Sequence, residues 1–327
     1  MSSIKKIWRP IVALLLLFVL IKSGPFKIDQ IQFILSQQTI LFVGLSLFAV
    51  QFVLFAVRWS FFVHLITPLA FLKSLKLTLV GQFFSFFIPG GVGGDVVKAL
   101  ELSRTETISK SQALSTVLAD RILSLFAMIT MSAAFLLYEY IQQPSENLKR
   151  FLIVSSILFV AVAIGLFSAP YIVNKFSFLF KNKNSFILVK LEKIISSFAM
   201  TFNAFRNIKI QAKNLIACIA IQFISIYFLY YIVQNLGLTP PPFLIFFSLC
   251  CFGFLASAIP ITPAGIGVGQ AAFYFLFSTF SPELGQATVT AVSVLQLFNL
   301  LFALFGGIIF SVQPKKIKQI ELQSEVI

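Results

Sequence analysis

The 327-residue chain is 58% hydrophobic and 11% charged, with a mean hydropathy of +0.96, far outside the range of soluble globular domains. A formal net charge of +14 would suggest a nucleic-acid partner in a soluble protein, but the lysines and arginines gather in a few loops between apolar runs, with no basic, aromatic-interleaved platform. That pattern excludes nucleic acid and points to membrane orientation and to anionic lipids as partners.

In chain order, Lys5, Lys6 and Arg9 precede an apolar run with no small-x-small cleavage site behind it, so a retained first helix is expected over 7–23. Spans need about 20 apolar residues. Further full crossings fit Thr39–Leu65, Ser109–Tyr138, Phe151–Ile172, Asn214–Leu236 and Leu284–Val312. Two other apolar segments, Leu72–Thr107 and Phe243–Phe280, are interrupted by glycine and proline. Between the halves, Ile187, Leu191, Ile194, Phe198, Phe202 and Phe205 recur at helical spacing beside Lys190 and Lys193, which predicts an interfacial amphipathic helix on anionic lipid. Cys218, Cys250 and Cys251 lie inside apolar segments and read as buried thiols.

The first interruption reads IPGGVGGD, with Pro89 followed by Gly90, Gly91, Gly93 and Gly94 and then Asp95. Hydrocarbon offers no water to free backbone groups, so a break at membrane depth is tolerated only where it is buried in protein or lines a wet cavity. The glycines permit positive φ and close approach by a ligand, and Asp95 is suited to capping a helix that starts at Val96. The second half answers with PAGIGVGQ, in which Pro263, Gly265 and Gly267 align with Pro89, Gly91 and Gly93. Paired breaks in corresponding halves are the sequence mark of a transporter built from repeats.

With the N-terminus cytoplasmic, Lys22, Lys27, Lys149 and Arg150 fall outside, Arg121 falls within a span, and the remainder of the 25 basic residues fall inside. One break then dips in from each side, and both termini are cytoplasmic. The expected fold is all-α: a single polytopic membrane helical bundle over 1–327 with two broken re-entrant segments in an inverted-repeat arrangement. Its half-repeats cover roughly 39–172 and 214–312, joined by the basic segment 173–213.

Chemistry is sparse. His64, placed at a helix end, is the single histidine, which argues against histidine-based metal sites and triads, and the glycines at 90–94 are not followed by Lys-Ser/Thr, so no Walker loop is present. No cofactor or metal is expected, and no enzyme. Of the acidic residues, Asp95 and Asp120 fall within membrane segments; such groups default to function. Asp95 either caps its helix or faces a headgroup at the helix end. Asp120 and Arg121 are adjacent on a helix and point about 100° apart, so each needs a partner elsewhere. Arg58 closes a span at the cytoplasmic side, where a positive-inside anchor is the plainer role; with Lys98, Arg104 and Arg121 it is also expected to form a basic inner vestibule that recruits an anionic headgroup. Lys98 and Arg104 add charge to the limb after the first break, while Gln270 and Gln296 are polar groups suited to joining helices in the second half.

Arg58-Trp59, IPGGVGGD with Lys98, the Asp120-Arg121 pair and PAGIGVG, in this order, resemble the lysylphosphatidylglycerol synthase transmembrane-region family of flippase-like membrane proteins. The family usually has Arg at the position of Lys98, often Glu at Gln270 and Arg near Gln296; losing the last two charges together keeps that site neutral. No soluble aminoacyltransferase domain is expected, which leaves translocation of an anionic or lipid-linked amphipath across the inner membrane in place of synthesis. The resemblance also admits a lipid-modifying transferase as a partner, with the chain presenting a lipid-linked sugar to a glycosyltransferase, and a small-anion transporter is the remaining alternative.

Overall fold

The computed structural model describes residues 27–88, 93–106, 108–180, 208–259 and 261–312, without the side chains of 166, 167, 169–180, 208 and 209. The expected span at 7–23 and the amphipathic stretch from Ile187 to Phe205 lie outside the described residues. Every element described is helical: α1 (Ile28–Ser36), α2 (Gln38–Val63), α3 (Phe71–Phe87), α4 (Gly93–Thr105), α5 (Lys110–Gln142), α6 (Glu146–Phe180), α7 (Ile208–Asn235), α8 (Phe243–Ser257), a 3-10 turn (Pro263–Gly265), α9 (Val268–Phe277) and α10 (Pro282–Val312). The protein is an all-α polytopic membrane bundle.

Five of these helices, α2, α5, α6 up to Gly165, α7 and α10, are long and apolar enough to cross a membrane. Their ends fall within a few residues of the sequence expectation, except that α6 runs farther at both ends and α7 begins six residues earlier, at Ile208. The short α1 was not foreseen; Gln30 ties it to α10 by accepting from Thr290 Oγ1 at 2.8 Å. α5 begins at a reciprocal cap in which Ser109 Oγ accepts from the Gln112 N–H and Gln112 Oε1 accepts from the Ser109 N–H.

The two interrupted segments form short helices. At 1.5 Å per residue α3 is about 25 Å long, α4 about 19 Å, α8 about 22 Å and α9 about 15 Å, each less than a hydrocarbon core of about 30 Å. α3 lies between α4 and α10, and the 3-10 turn of the second interruption rests on α3.

The largest apolar core joins α2, α7, α8 and α10. Phe48 and Phe52, one turn apart on α2, stack on Phe298 and Phe302, one turn apart on α10, at ring centroid separations of 5.4 and 5.1 Å. The equal four-residue steps mean that α2 and α10 run side by side in the same direction, so the two helices share one axial scale. Large apolar side chains such as Phe42, Ile157, Ile216 and Phe275 are exposed, the expected outer face of a bundle whose solvent is hydrocarbon.

Candidate functional site

Three helices bring charge together at one level. Arg58 on α2 grips Asp120 on α5 fork to fork, Nε donating to Oδ1 at 2.7 Å and Nη2 to Oδ2 at 2.9 Å, with both side chains buried. The remaining Nη1 faces the Cys218 thiol of α7 at 3.6 Å, and Ser124, one turn beyond Asp120, approaches the same sulfur at 3.9 Å. A planar guanidinium filled by one carboxylate and a thiol is a well-satisfied buried cation. Arg58 is therefore not the exposed positive-inside anchor expected from its position, because a loop-charge count registers where a residue falls in the chain and cannot register a partner 62 residues away.

Arg121, rotated away from Asp120 by the helical step, finds Asp95 instead: Nε donates to Oδ2 at 2.8 Å and Nη2 to Oδ1 at 3.0 Å. This pair lies at a rim, the Arg121 side chain 55% exposed and that of Asp95 17%. Asp95 is not the cap expected of it. The helix begins at Gly93, so Asp95 sits in the first turn, where a carboxylate still suits the positive end of the helix while its oxygens serve Arg121.

Lys98, one turn farther along α4, is 8% exposed, and its Nζ lies 3.9 Å from the centroid of the Trp59 ring. Trp59 is held in place by donating Nε1–H to Thr116 Oγ1 at 3.2 Å. Among the described residues no acceptor or carboxylate bonds Lys98. Arg104 stays apart, exposed and bonded to Glu101 on its own helix at 2.8 Å.

Gly90 and Gly91 lie outside the described residues. Gly93 and Gly94 have helical backbone, so they do not supply the positive φ expected of them. What they supply is closeness: a Cβ on Gly94 would fall on the Gly81 carbonyl and the Ser85 hydroxyl of α3, and one on Gly93 would strike Ile88.

The second interruption does use positive φ, at Gly265 (+70°), Gly267 (+85°) and, unusually, Ala264 (+49°). Pro263 opens its 3-10 turn, and Gln270 closes it. Gln270 Oε1 accepts from the Gly267 N–H at 2.7 Å, and Nε2 donates to Gln296 Oε1 at 2.6 Å and Ser293 Oγ at 3.3 Å. The amides thus do join helices, and they also satisfy backbone freed by the break. Gln296 lies within a turn of Phe298, hence near the level of Phe48, and Arg58 is ten residues farther along α2. The amide cluster and the charged cluster are two levels separated by about 15 Å along the bundle.

The family model described as lysylphosphatidylglycerol synthase TM region matches residues 6–308. The chain belongs to this family. No curated protein and no solved structure matches it. In this member of the lysylphosphatidylglycerol synthase transmembrane-region family, the segments that carry the resemblance are the ones the fold gathers. Arg58-Trp59, Asp95 with Lys98, and Asp120-Arg121 build the charged level, while PAGIGVG with Gln270 and Gln296 builds the amide level.

Sequence reasoning overlooked Thr116 and Cys218, which orient Trp59 and Arg58, and Ser293. A signal existed for two of these hydroxyls, since Thr116 stands four residues before Asp120 and Ser293 three before Gln296, on the same helix faces. Cys218 is the buried thiol that its apolar segment suggests, but nothing in the sequence pairs it with Arg58.

Proposed function

We propose that the chain is a transporter of the flippase type that carries an anionic amphipathic or lipid-linked headgroup across the cytoplasmic membrane, and that it is not an enzyme. The observation that carries this reading is the charged level beside a glycine break: Lys98 is buried with no counter-ion bonded to it among the described residues, next to two complete ion pairs, where a helix too short to cross hydrocarbon begins. Intramembrane charge in such a setting marks a substrate path, and discontinuous helices in corresponding halves are how secondary transporters build one. A headgroup entering at the charged level would then pass the neutral amide level about 15 Å deeper, while acyl chains stay in lipid. Membrane lipids are the immediate partners, and an enzyme that modifies the headgroup is a natural neighbour.

The test is translocation in proteoliposomes. Vesicles holding the purified chain should bring headgroup-labelled anionic lipid within reach of an external quencher faster than protein-free vesicles, and faster than labelled phosphatidylcholine. Equal rates with and without protein would end the transporter reading.

The inverted re-entrant arrangement, with cytoplasmic termini, makes a separate prediction. In a background lacking Cys218, Cys250 and Cys251, a cysteine at exposed Lys110, at the open end of the α3–α4 hairpin, should react with an impermeant maleimide only from the cytoplasmic side. One at exposed Glu283, at the open end of the α8–α9 hairpin, should react only from outside. Labelling of both from one side would contradict inverted halves.

A further inference from the structure

Among the described residues, three charged side chains are buried, Arg58, Lys98 and Asp120. Arg58 and Asp120 neutralise each other through two hydrogen bonds, and at the rim Arg121 and Asp95 do the same. The charged level therefore carries one uncompensated positive charge, on Lys98, whose ammonium has three donors, no acceptor within bonding distance among the described residues and the face of Trp59 as its electrostatic support. A desolvated ammonium held in this way costs free energy that a counter-ion would return.

We infer that Lys98 is the binding charge of the site and that the ligand it takes is a monoanionic phosphodiester, the headgroup linkage of an anionic phospholipid. The inference rests on the transporter reading for its membrane setting and on charge balance for its chemistry. One phosphodiester oxygen accepting from Lys98 Nζ leaves the whole level neutral. A phosphomonoester or diphosphate brings about one negative charge too many, and placing that excess among buried groups is unfavourable. A zwitterionic lipid brings its own ammonium and leaves the charge of Lys98 uncancelled beyond the phosphate it binds. Arg58 and Asp120 do not bind the ligand in this scheme; they hold the floor on which Trp59 and Lys98 meet. Arg121 need not leave Asp95.

Trp59 supplies the readout, because an anion that draws Lys98 from the indole face changes its emission. Trp8 is the only other tryptophan, so Trp8→Phe leaves Trp59 as the sole reporter. The full chain in neutral detergent is titrated with short-chain phosphatidylmethanol, a phosphodiester with no other headgroup function, and with phosphatidic acid, phosphatidylcholine and inorganic phosphate. Phosphatidylmethanol should give a saturable change at lower concentration than the other three. Lys98→Gln should weaken it by about 10- to 100-fold, the value of a hydrogen bond to a charged group. Lys98→Arg should retain most of the binding, and Lys76→Gln, at an exposed lysine of α3, should leave it unchanged.

Undiminished binding by Lys98→Gln would overturn the inference. So would tighter binding of phosphatidic acid or inorganic phosphate than of phosphatidylmethanol, or equal binding of phosphatidylcholine; these rankings use the unaltered lysine and hold even if Lys98→Gln fails to fold. Selective, Lys98-dependent binding by a chain that moves no lipid would end the transporter reading and leave the inference standing. Translocation of anionic lipid that is indifferent to Lys98→Gln would do the reverse.

Discussion

Asp120→Ala should be among the most damaging single substitutions in the chain, lowering the stability of the folded protein by about 3–5 kcal/mol. The loss comes from what remains: Arg58 stays buried with its fork empty, facing only the Cys218 thiol. Arg58→Met strands Asp120 in the same way and should cost a similar amount. The double variant Arg58→Met/Asp120→Leu removes both charges and fills the space with apolar atoms, so it should recover most of the stability, because a buried pair is dear to break and cheap to replace. Arg58→Lys should fall between, since a point charge cannot serve both carboxylate oxygens at once. The measurement is the temperature at which the detergent-solubilised protein loses monodispersity. Should Asp120→Ala and the double variant prove equally unstable, the pair would be contributing its shape and not its charge. If the double variant is stable yet moves no lipid, the pair is a requirement of transport beyond its part in folding.

The same pair shows where a sequence stops being legible. The five spans were legible because a hydrophobic run of the right length has one solution in lipid. That Asp120 and Arg121 must seek separate partners was legible too, since adjacent helical residues diverge by about 100°. Which partners they take was not, because Arg58 lies a whole hairpin earlier and Asp95 sits on a limb whose starting residue the glycines obscure. Asp95 read as a cap because a carboxylate after glycines fits one, and only the third dimension shows Arg121 within reach. The joining role of Gln270 and Gln296 was visible as polarity in apolar helices, whereas the bond from Gln270 to the Gly267 N–H required the turn itself. The helix α1 went unseen for a plainer reason: its nine residues mix polar and apolar side chains and are too short for periodicity to stand out. Gly81 and Gly306 were missed for the opposite reason, since an isolated glycine in a long apolar helix looks like tolerance and not necessity.

Those two glycines define the second large effect. α3 is clamped on both sides by contacts that leave no room for a side chain. On one side, a Cβ added to Gly94 of α4 would fall on the Gly81 carbonyl and the Ser85 hydroxyl; on the other, a Cβ added to Gly306 of α10 would fall on the Leu79 carbonyl and lie 2.8 Å from the Val80 nitrogen. In both cases the main obstacle is backbone, which cannot rotate aside as a side-chain end can, so the helices must separate. Helix association in lipid depends on such close approach, having no hydrophobic drive between helices. Gly94→Val and Gly306→Val should therefore each exceed the usual overpacking cost of about 1–3 kcal/mol and yield little monodisperse protein. Gly93→Val should be damaging as well, because a Cβ there meets the Cβ and Cγ2 of Ile88, atoms fixed close to the backbone at the end of α3. Gly165→Ala, with nothing within 4 Å among the described residues, serves as the neutral reference. Extraction yield and thermal stability should rank Gly165→Ala first, with Gly93→Val, Gly94→Val and Gly306→Val all well below it. The consequence for function lies in position: Gly94 is one residue before Asp95 and four before Lys98, so a splayed α3–α4 hairpin also pulls the lysine from Trp59. Folded Gly94→Val protein that still transports at the normal rate would mean that the charged level tolerates movement of α4, and that the tight hairpin serves only assembly.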